Sequence, residues 1–316
     1  MEKTALVLGA TGGIGGEVAR LLLARGWQVK ALHRAPLGAA KQGDGLQWLA
    51  GDAMNRQDVV SAAQGAQLIV HAVNPPGYRN WGALVLPMID NTIAAARASG
   101  ARILLPGTVY NYGPDAFPVI DEESPQNPVT RKGAIRVEME ARLRAAAADG
   151  VRTLIVRAGD FFGPKAGNSW FAQGLVKPGK PLTAISYPGS AGIGHQWAYL
   201  PDVAETMVRL IEKDDQPDTF ARYQMEGHWD ADGTQMVTAI ARAARKPELK
   251  ASAFPWWLLA LASPFVAVFR ELREMRYLWR QPVQMSNRRL VKMLGVEPRT
   301  PLDVAVRSTL VGLGSL

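Results

Sequence analysis

The chain has 316 residues, 47% hydrophobic and 20% charged, which excludes a disordered chain and allows one large domain or two coupled ones around a sizeable core. It contains no cysteine, so disulfides, thiolate catalysis and cysteine-ligated metal are excluded, in keeping with a reducing, cytoplasmic setting. The net charge of +8 is uneven: from Ile240 onward there are 13 Lys/Arg against 5 Asp/Glu, while the preceding residues balance.

In chain order, the apolar run of "MEKTALVLGATGG" is only a strand long and ends in glycines, which does not fit a secretion signal. "TALVLGA" reads as a buried strand and "GGEVARLLLARG" as an amphipathic helix stopped by Gly26. "WQVKALHR" and "LQWLAGD" read as strands, "RQDVVSAAQG" as a helix, and "AQLIVHAV" as a fourth strand. "ALVLPMIDNTIAAARASG" predicts a long helix, broken or started near Pro87. "ARILLPGT" is a fifth strand, "KGAIRVEMEARLRAAAADG" a helix, and "VRTLIVRAG" a sixth strand. Strand and helix alternate to about Gly159, which predicts crossover connections and a parallel sheet covered on both faces. The expected fold is therefore α/β, a doubly wound parallel sheet of the Rossmann type, with a smaller, mostly helical C-terminal region covering the substrate. Residues 1–165 form the expected dinucleotide-binding domain and 166–316 the substrate region, intertwined with it.

"VLGATGGIGGEVA" sets Gly9, Gly12 and Gly15 three residues apart between a strand and a helix. Gly9 permits the tight turn, Gly12 lets the backbone approach a pyrophosphate, and Gly15 lets the helix pack close. The helix N-terminus then turns its free N–H groups to the phosphates. Cofactor contacts are expected from Gly9, Thr11, Gly12, Gly13, Ile14 and Gly15, with Ala72 and Val73 at the end of the fourth strand. The second strand ends in His33 and Arg34, with no carboxylate to hold a ribose 2′-OH. A guanidinium there suits a 2′-phosphate, so NADP is the expected cofactor, with NAD second. Asp52 closes the third strand, where it either meets the adenine amine or caps the next helix.

Together with "AGD", "IVHAV", "GTVYNYG", "VRAGDFFGP" and "QWAYLPDVAE", the glycine loop resembles the extended, atypical short-chain dehydrogenases/reductases of the NAD-dependent epimerase/dehydratase type, over about residues 4 to 210. The closing "LVKMLGVEPRTPLDVAVRSTL" is similar too. The resemblance implies a hydroxyl that polarises the substrate oxygen, a tyrosine that moves the proton, and a lysine four residues on that lowers the tyrosine pKa and holds the nicotinamide ribose. Thr108 matches the hydroxyl, but Lys132 and Arg136 stand where the tyrosine and lysine belong. Arg136 can serve the ribose but does not deprotonate. The proton then falls to Lys132, if buried, or to Tyr110 or Tyr112 beside Thr108.

"DFFGP" follows the sixth strand at the ligand-binding edge of such sheets, so Asp160, Phe161 and Phe162 are pocket candidates, joined by Asn168, Trp170 and His195. Ser169, Gln196, Trp197 and Tyr199 lie beside them, the last two equally fit for ordinary core. The aromatic content favours a less polar or aromatic small-molecule substrate. No His/carboxylate set has metal-ligand spacing, and no nucleic-acid motif accompanies the basic C-terminus. The most apolar stretch, Pro255 to Phe269, contains Pro264 and is too short to span a bilayer. With the arginines that follow it to residue 280, it could lie on a membrane interface, cover an apolar pocket or form a dimer face, and monomer and homodimer both remain open. Two functions follow: an NADP-dependent oxidoreductase or epimerase-like enzyme, or a non-catalytic cofactor-binding sensor on the same fold.

Overall fold

The computed structural model describes residues 3–35, 43–75, 80–213, 218–263 and 267–316. Met1, Glu2 and Pro264, which the sequence reading invokes, lie outside the described residues. The strands are β1 Thr4–Leu8, β2 Gln28–His33, β3 Gln47–Ala50, β4 Leu68–His71, β5 Arg102–Thr108, β6 Val119–Ile120, β7 Thr153–Ala158, β8 Asp160–Phe162, β9 Ile185–Tyr187, β10 His195–Tyr199, β11 Phe220–Gln224, β12 His228–Asp230, β13 Ala251–Ala253 and β14 Gln284–Met285. The helices are α1 Gly13–Ala24, α2 Arg56–Ala62, α3 Trp81–Ser99, α4 Arg131–Ala148, α5 Leu200–Glu212, α6 Gln235–Ala243, α7 Trp256–Ala262, α8 Ala267–Glu274, α9 Arg288–Leu294 and α10 Leu302–Gly312.

Two compact units emerge, one from residues 1–107, 134–157 and 203–223, the other from 108–133, 158–202 and 224–316. The expected boundary near residue 165 thus falls inside a stretch of the second unit, because the chain leaves the sheet after β5 and again after β7 and returns each time.

The first unit holds a seven-stranded sheet in the order β11-β7-β5-β4-β1-β2-β3, the doubly wound parallel sheet expected from the sequence. β1 runs parallel to β2 and β4, with Leu8 opposite Leu32 and His71. All five β1 residues are buried, as a strand covered on both faces requires. Leu6, Ile69, Ile89, Ile103, Leu143 and Ile155 share one core. α3 starts at Trp81 and runs through Pro87 to Ser99, neither broken nor started near Pro87 as expected. Inside a helix a proline forfeits one backbone hydrogen bond, which the packed helix tolerates here. A buried bidentate pair, Arg157 Nε to Glu140 Oε1 at 3.0 Å and Arg157 Nη2 to Glu140 Oε2 at 2.5 Å, fastens α4 to β7.

The second unit contains a three-stranded sheet, β12-β10-β8, and an aromatic core built on Phe162, Phe171, Trp197 and Trp279. The region beyond Asp230 is mainly helical as expected, but also contributes β13 and β14, two short ladders too brief to show a period in sequence.

His71 is buried at the end of β4, its ring Nδ1 2.8 Å from Thr92 Oγ1. Thr92 spends its own hydroxyl hydrogen on the Met88 carbonyl, so His71 Nδ1 carries the proton. Burial, helped by the Arg136 charge, lowers the His71 pKa from 6.5 to about 3. Between those values the unfolded chain binds a proton that the folded chain refuses, so stability falls as pH drops through 6.5 toward 3. His228, lowered to about 4 by burial and Arg299, acts in the same direction. Thermal midpoints should therefore fall on acidification below pH 6.5, and His71→Asn should flatten that fall by about 1.4 kcal/mol per pH unit. Equal slopes in the two proteins would contradict the buried neutral imidazole.

Candidate active site

The glycine loop is shaped by backbone contact. Gly9 has φ +92°, and a Cβ there would lie 2.5 Å from the Ala72 carbonyl oxygen. A Cβ on Gly15 would lie 2.3 Å from the Gly9 carbonyl oxygen and 3.1 Å from Ala72 Cβ. The start of α1, the end of β1 and the end of β4 therefore meet with no room for side chains. Gly12 is the N-cap of α1, with no side-chain cap and no acid in the first turn. Thr11 and Gly12 are exposed, Gly13 and Ile14 half-buried. An uncapped helix start behind an exposed backbone turn offers N–H groups and a positive dipole end to a phosphate, so the residues present fit a dinucleotide.

At the end of β2, His33 Nδ1 turns to the backbone of Ala35 and Arg34 is exposed. Among the described residues nearby, Asp44 is engaged by Leu46 N and the Trp48 indole. Asp52 Oδ1 accepts from Met54 N, while Asn55 caps α2 by accepting from Gln57 N, so the cap weighed for Asp52 is taken by another residue.

In the second unit, the Thr108 hydroxyl oxygen accepts from Tyr110 N at 2.9 Å, which leaves the hydroxyl hydrogen to donate elsewhere. Tyr110 Oη donates to Asp160 Oδ1 at 3.4 Å, and His195 Nε2 lies 2.9 Å from Asp160 Oδ2. Asp160 and His195 are each 6% exposed. The His195 ring stacks on Trp279, centroids 3.7 Å apart and planes 7° from parallel. Sequence reading named Tyr110, Asp160 and His195 separately but missed Trp279, for which nothing local gives a signal. It also missed Tyr187, whose buried hydroxyl has no hydrogen-bond partner and whose pKa is pushed up by burial and by Asp230, Asp232 and Asp160.

Tyr112 is fully buried, and its hydroxyl accepts from Gln224 Nε2 at 2.7 Å and donates to the Asp121 carbonyl at 3.3 Å, the contacts of an anchoring phenol. Lys132 is 2% exposed at the start of α4. A Cβ on the adjoining Gly133 would lie 2.4 Å from the Tyr110 carbonyl oxygen, so the helix start closes directly on the Tyr110 turn. Arg136, one turn along α4, is half-buried with its guanidinium 5.2 Å over the Trp81 ring. Of the substrate candidates, Phe161 is half-buried, Phe162 and Trp170 belong to the aromatic core, and Asn168 is exposed and bonded to Gln173.

The close contacts of the loop yield a test. Gly15→Ala should cost about 1–3 kcal/mol through overpacking and weaken dinucleotide binding at least about tenfold. Gly167→Ala, whose added methyl meets nothing within 4 Å, is the control. Thermal melts and calorimetric titration of both variants check this, and unchanged binding by Gly15→Ala would contradict the cradle.

The sequence profile of the NAD dependent epimerase/dehydratase family matches residues 5–224. The chain is 30% identical over 177 residues to the 3-diazoavenalumate denitrifying reductase of a Streptomyces species, covering 51% of this chain and 57% of that protein. It spans about half the length of the curated relatives it matches. Among solved structures, MoeE5 in complex with UDP-glucose and NAD superposes with a TM-score of 0.74 at 17% identity, covering 98% of both chains. UDP-glucose 4-epimerase from Bifidobacterium longum, with NAD+ and UDP, gives 0.73 at 16% identity, covering 98% of this chain and 97% of that one. At such identities these likenesses speak for the fold. The match over residues 5–224, on a sheet and glycine loop of this geometry, makes the chain a member of the NAD-dependent epimerase/dehydratase family.

Proposed function

We propose that the protein is an NADP-dependent oxidoreductase acting on a carbonyl or hydroxyl carbon of an apolar or aromatic small molecule. The observation that carries this reading is the burial of Lys132, at 2% exposure. Withdrawing an ammonium from water is costly, and a solvated basic helix face would leave it outside. Its helix neighbour Arg131 is exposed.

When bound, the dinucleotide supplies or accepts the hydride. Thr108, with its hydroxyl hydrogen available, orients the substrate oxygen. Lys132 or Tyr110 exchanges the proton with that oxygen, and Arg136 holds the nicotinamide ribose. Asp160, itself bonded to His195, accepts from the Tyr110 hydroxyl and orients it. Arg34, with no acid at the end of β2, supports the 2′-phosphate and hence NADP.

Two features support the substrate class. The second unit is built around an aromatic core that includes Trp170, Tyr187, Trp197 and Trp279. Among its described buried residues Lys132 is the one Lys or Arg, whereas a diphosphate is best gripped by several guanidinium forks. The denitrifying reductase of Streptomyces, a reductase by name, favours reduction over epimerisation.

Calorimetry should find NADPH bound more tightly than NADH, with Arg34→Ala raising the NADPH Kd at least about tenfold and leaving NADH unchanged. NADPH oxidation in the presence of aromatic ketones, aldehydes and quinones then reads turnover. Lys132→Met or Tyr110→Phe should lower kcat at least about a hundredfold while NADPH binding is retained. Full turnover in both variants would contradict the roles, and NADPH binding without turnover of any carbonyl would favour the sensor.

A further inference from the structure

α7 turns its two sides to different surroundings. Leu259 is buried, and Trp256 faces inward, its Nε1 donating to the Pro188 carbonyl at 2.8 Å and its ring packed on Phe254. On the other side Trp257, Leu258 and Leu261 are 66%, 46% and 68% exposed. Three large apolar side chains thus stand in water within five positions, a concentration that scattered surface residues do not produce.

Arginines gather next to α7. Arg276 sets its guanidinium 5.2 Å over the Trp256 ring at the first residue of α7. Arg273 Nη1 donates to Ser263 Oγ at 3.0 Å, at the C-cap of the same helix. Arg270 and Arg280, which follow α7 in the chain, are exposed. The whole segment belongs to the stretch after Ile240 that carries the entire net charge of +8.

We propose that α7 docks on the surface of an anionic lipid bilayer, inserting Trp257, Leu258 and Leu261 while the flanking arginines meet the headgroup phosphates. Lasting attachment to a bilayer surface takes both an apolar insertion and basic attraction, and both stand here together. Tryptophan suits the interface depth, with an apolar body and a polar tip. A helix of seven residues lies on a membrane and does not cross it, and no helix among the described residues is long and apolar enough to cross one. A second copy of the chain fits this face less well. A two-fold interface would bring the arginine-rich surface against itself, and like charges brought together oppose association.

Flotation of the full chain with vesicles of phosphatidylcholine alone, and of phosphatidylcholine mixed with phosphatidylglycerol, tests the proposal. The protein should rise with the anionic vesicles at least about tenfold more than with the neutral ones, and less so in high salt. The double variant Trp257→Ser, Leu261→Ser should lose at least about nine-tenths of that binding while keeping its melting temperature and NADPH affinity, since both side chains are exposed. Arg270→Ala with Arg280→Ala should lower binding to anionic vesicles and leave the weak binding to neutral ones as it is. Absence of flotation, equal flotation with both vesicle types, or flotation that survives the double apolar substitution each overturns the proposal. A dimer in sedimentation velocity that the same double substitution disperses, without flotation, assigns the face to a second copy and overturns it as well.

Discussion

The organisation of the first unit rests on one place where backbone meets backbone. The Gly9 carbonyl lies where a Gly15 side chain would be, and the Ala72 carbonyl where a Gly9 side chain would be. That contact joins β1, α1 and β4 at the ligand-binding edge of the sheet. It gives the loop features that suit a phosphate: a turn with positive φ, an uncapped helix start and exposed residues at Thr11 and Gly12, the Gly12 N–H itself being held by the Gly9 carbonyl. His71, one residue before Ala72, is bonded to Thr92 and held neutral by burial.

α4 carries the second constraint. Gly133 lets its start close on the Tyr110 carbonyl, Lys132 is buried beside that glycine, and Arg136 spreads over Trp81 a turn later. Glu140, another turn along, grips Arg157 in a bidentate pair with both side chains buried. Such a pair adds little net stability over an apolar substitute but is costly to break, so its effect is to fix the helix in one register. Arg136, one turn before Glu140, is therefore carried on a helix anchored to β7.

What could be read from the sequence was local. The spacing of Gly9, Gly12 and Gly15 between a strand and a helix is legible because the turn, the cap and the phosphate site lie within a few residues. The parallel sheet was legible because strand and helix alternate with their own periods. α3 continued through Pro87 because packing of the long helix outweighs one lost hydrogen bond, and sequence pattern does not weigh packing. The surroundings of His195 were not legible. Asp160 and Trp279 reach it from distant parts of the chain, and neither carries a local mark of the encounter. Tyr112 looked interchangeable with Tyr110 in "GTVYNYG", yet one hydroxyl is used up by Gln224 and Asp121 while the other meets a buried carboxylate. The exposed side of α7 was ambiguous for the same reason: composition shows an apolar run, and only packing shows which of its residues face out.

The central claim, that the contact of Gly9, Gly15 and Ala72 shapes a dinucleotide cradle, is tested most directly by hydrogen–deuterium exchange with and without NADPH. Exchange should slow mainly in peptides covering Leu8 to Val18, the end of β2 at His33 and Arg34, and Leu68 to Val73, with the α7 segment unchanged. Unaltered exchange across Leu8 to Val18 at saturating NADPH, or protection only in the second unit, would contradict it.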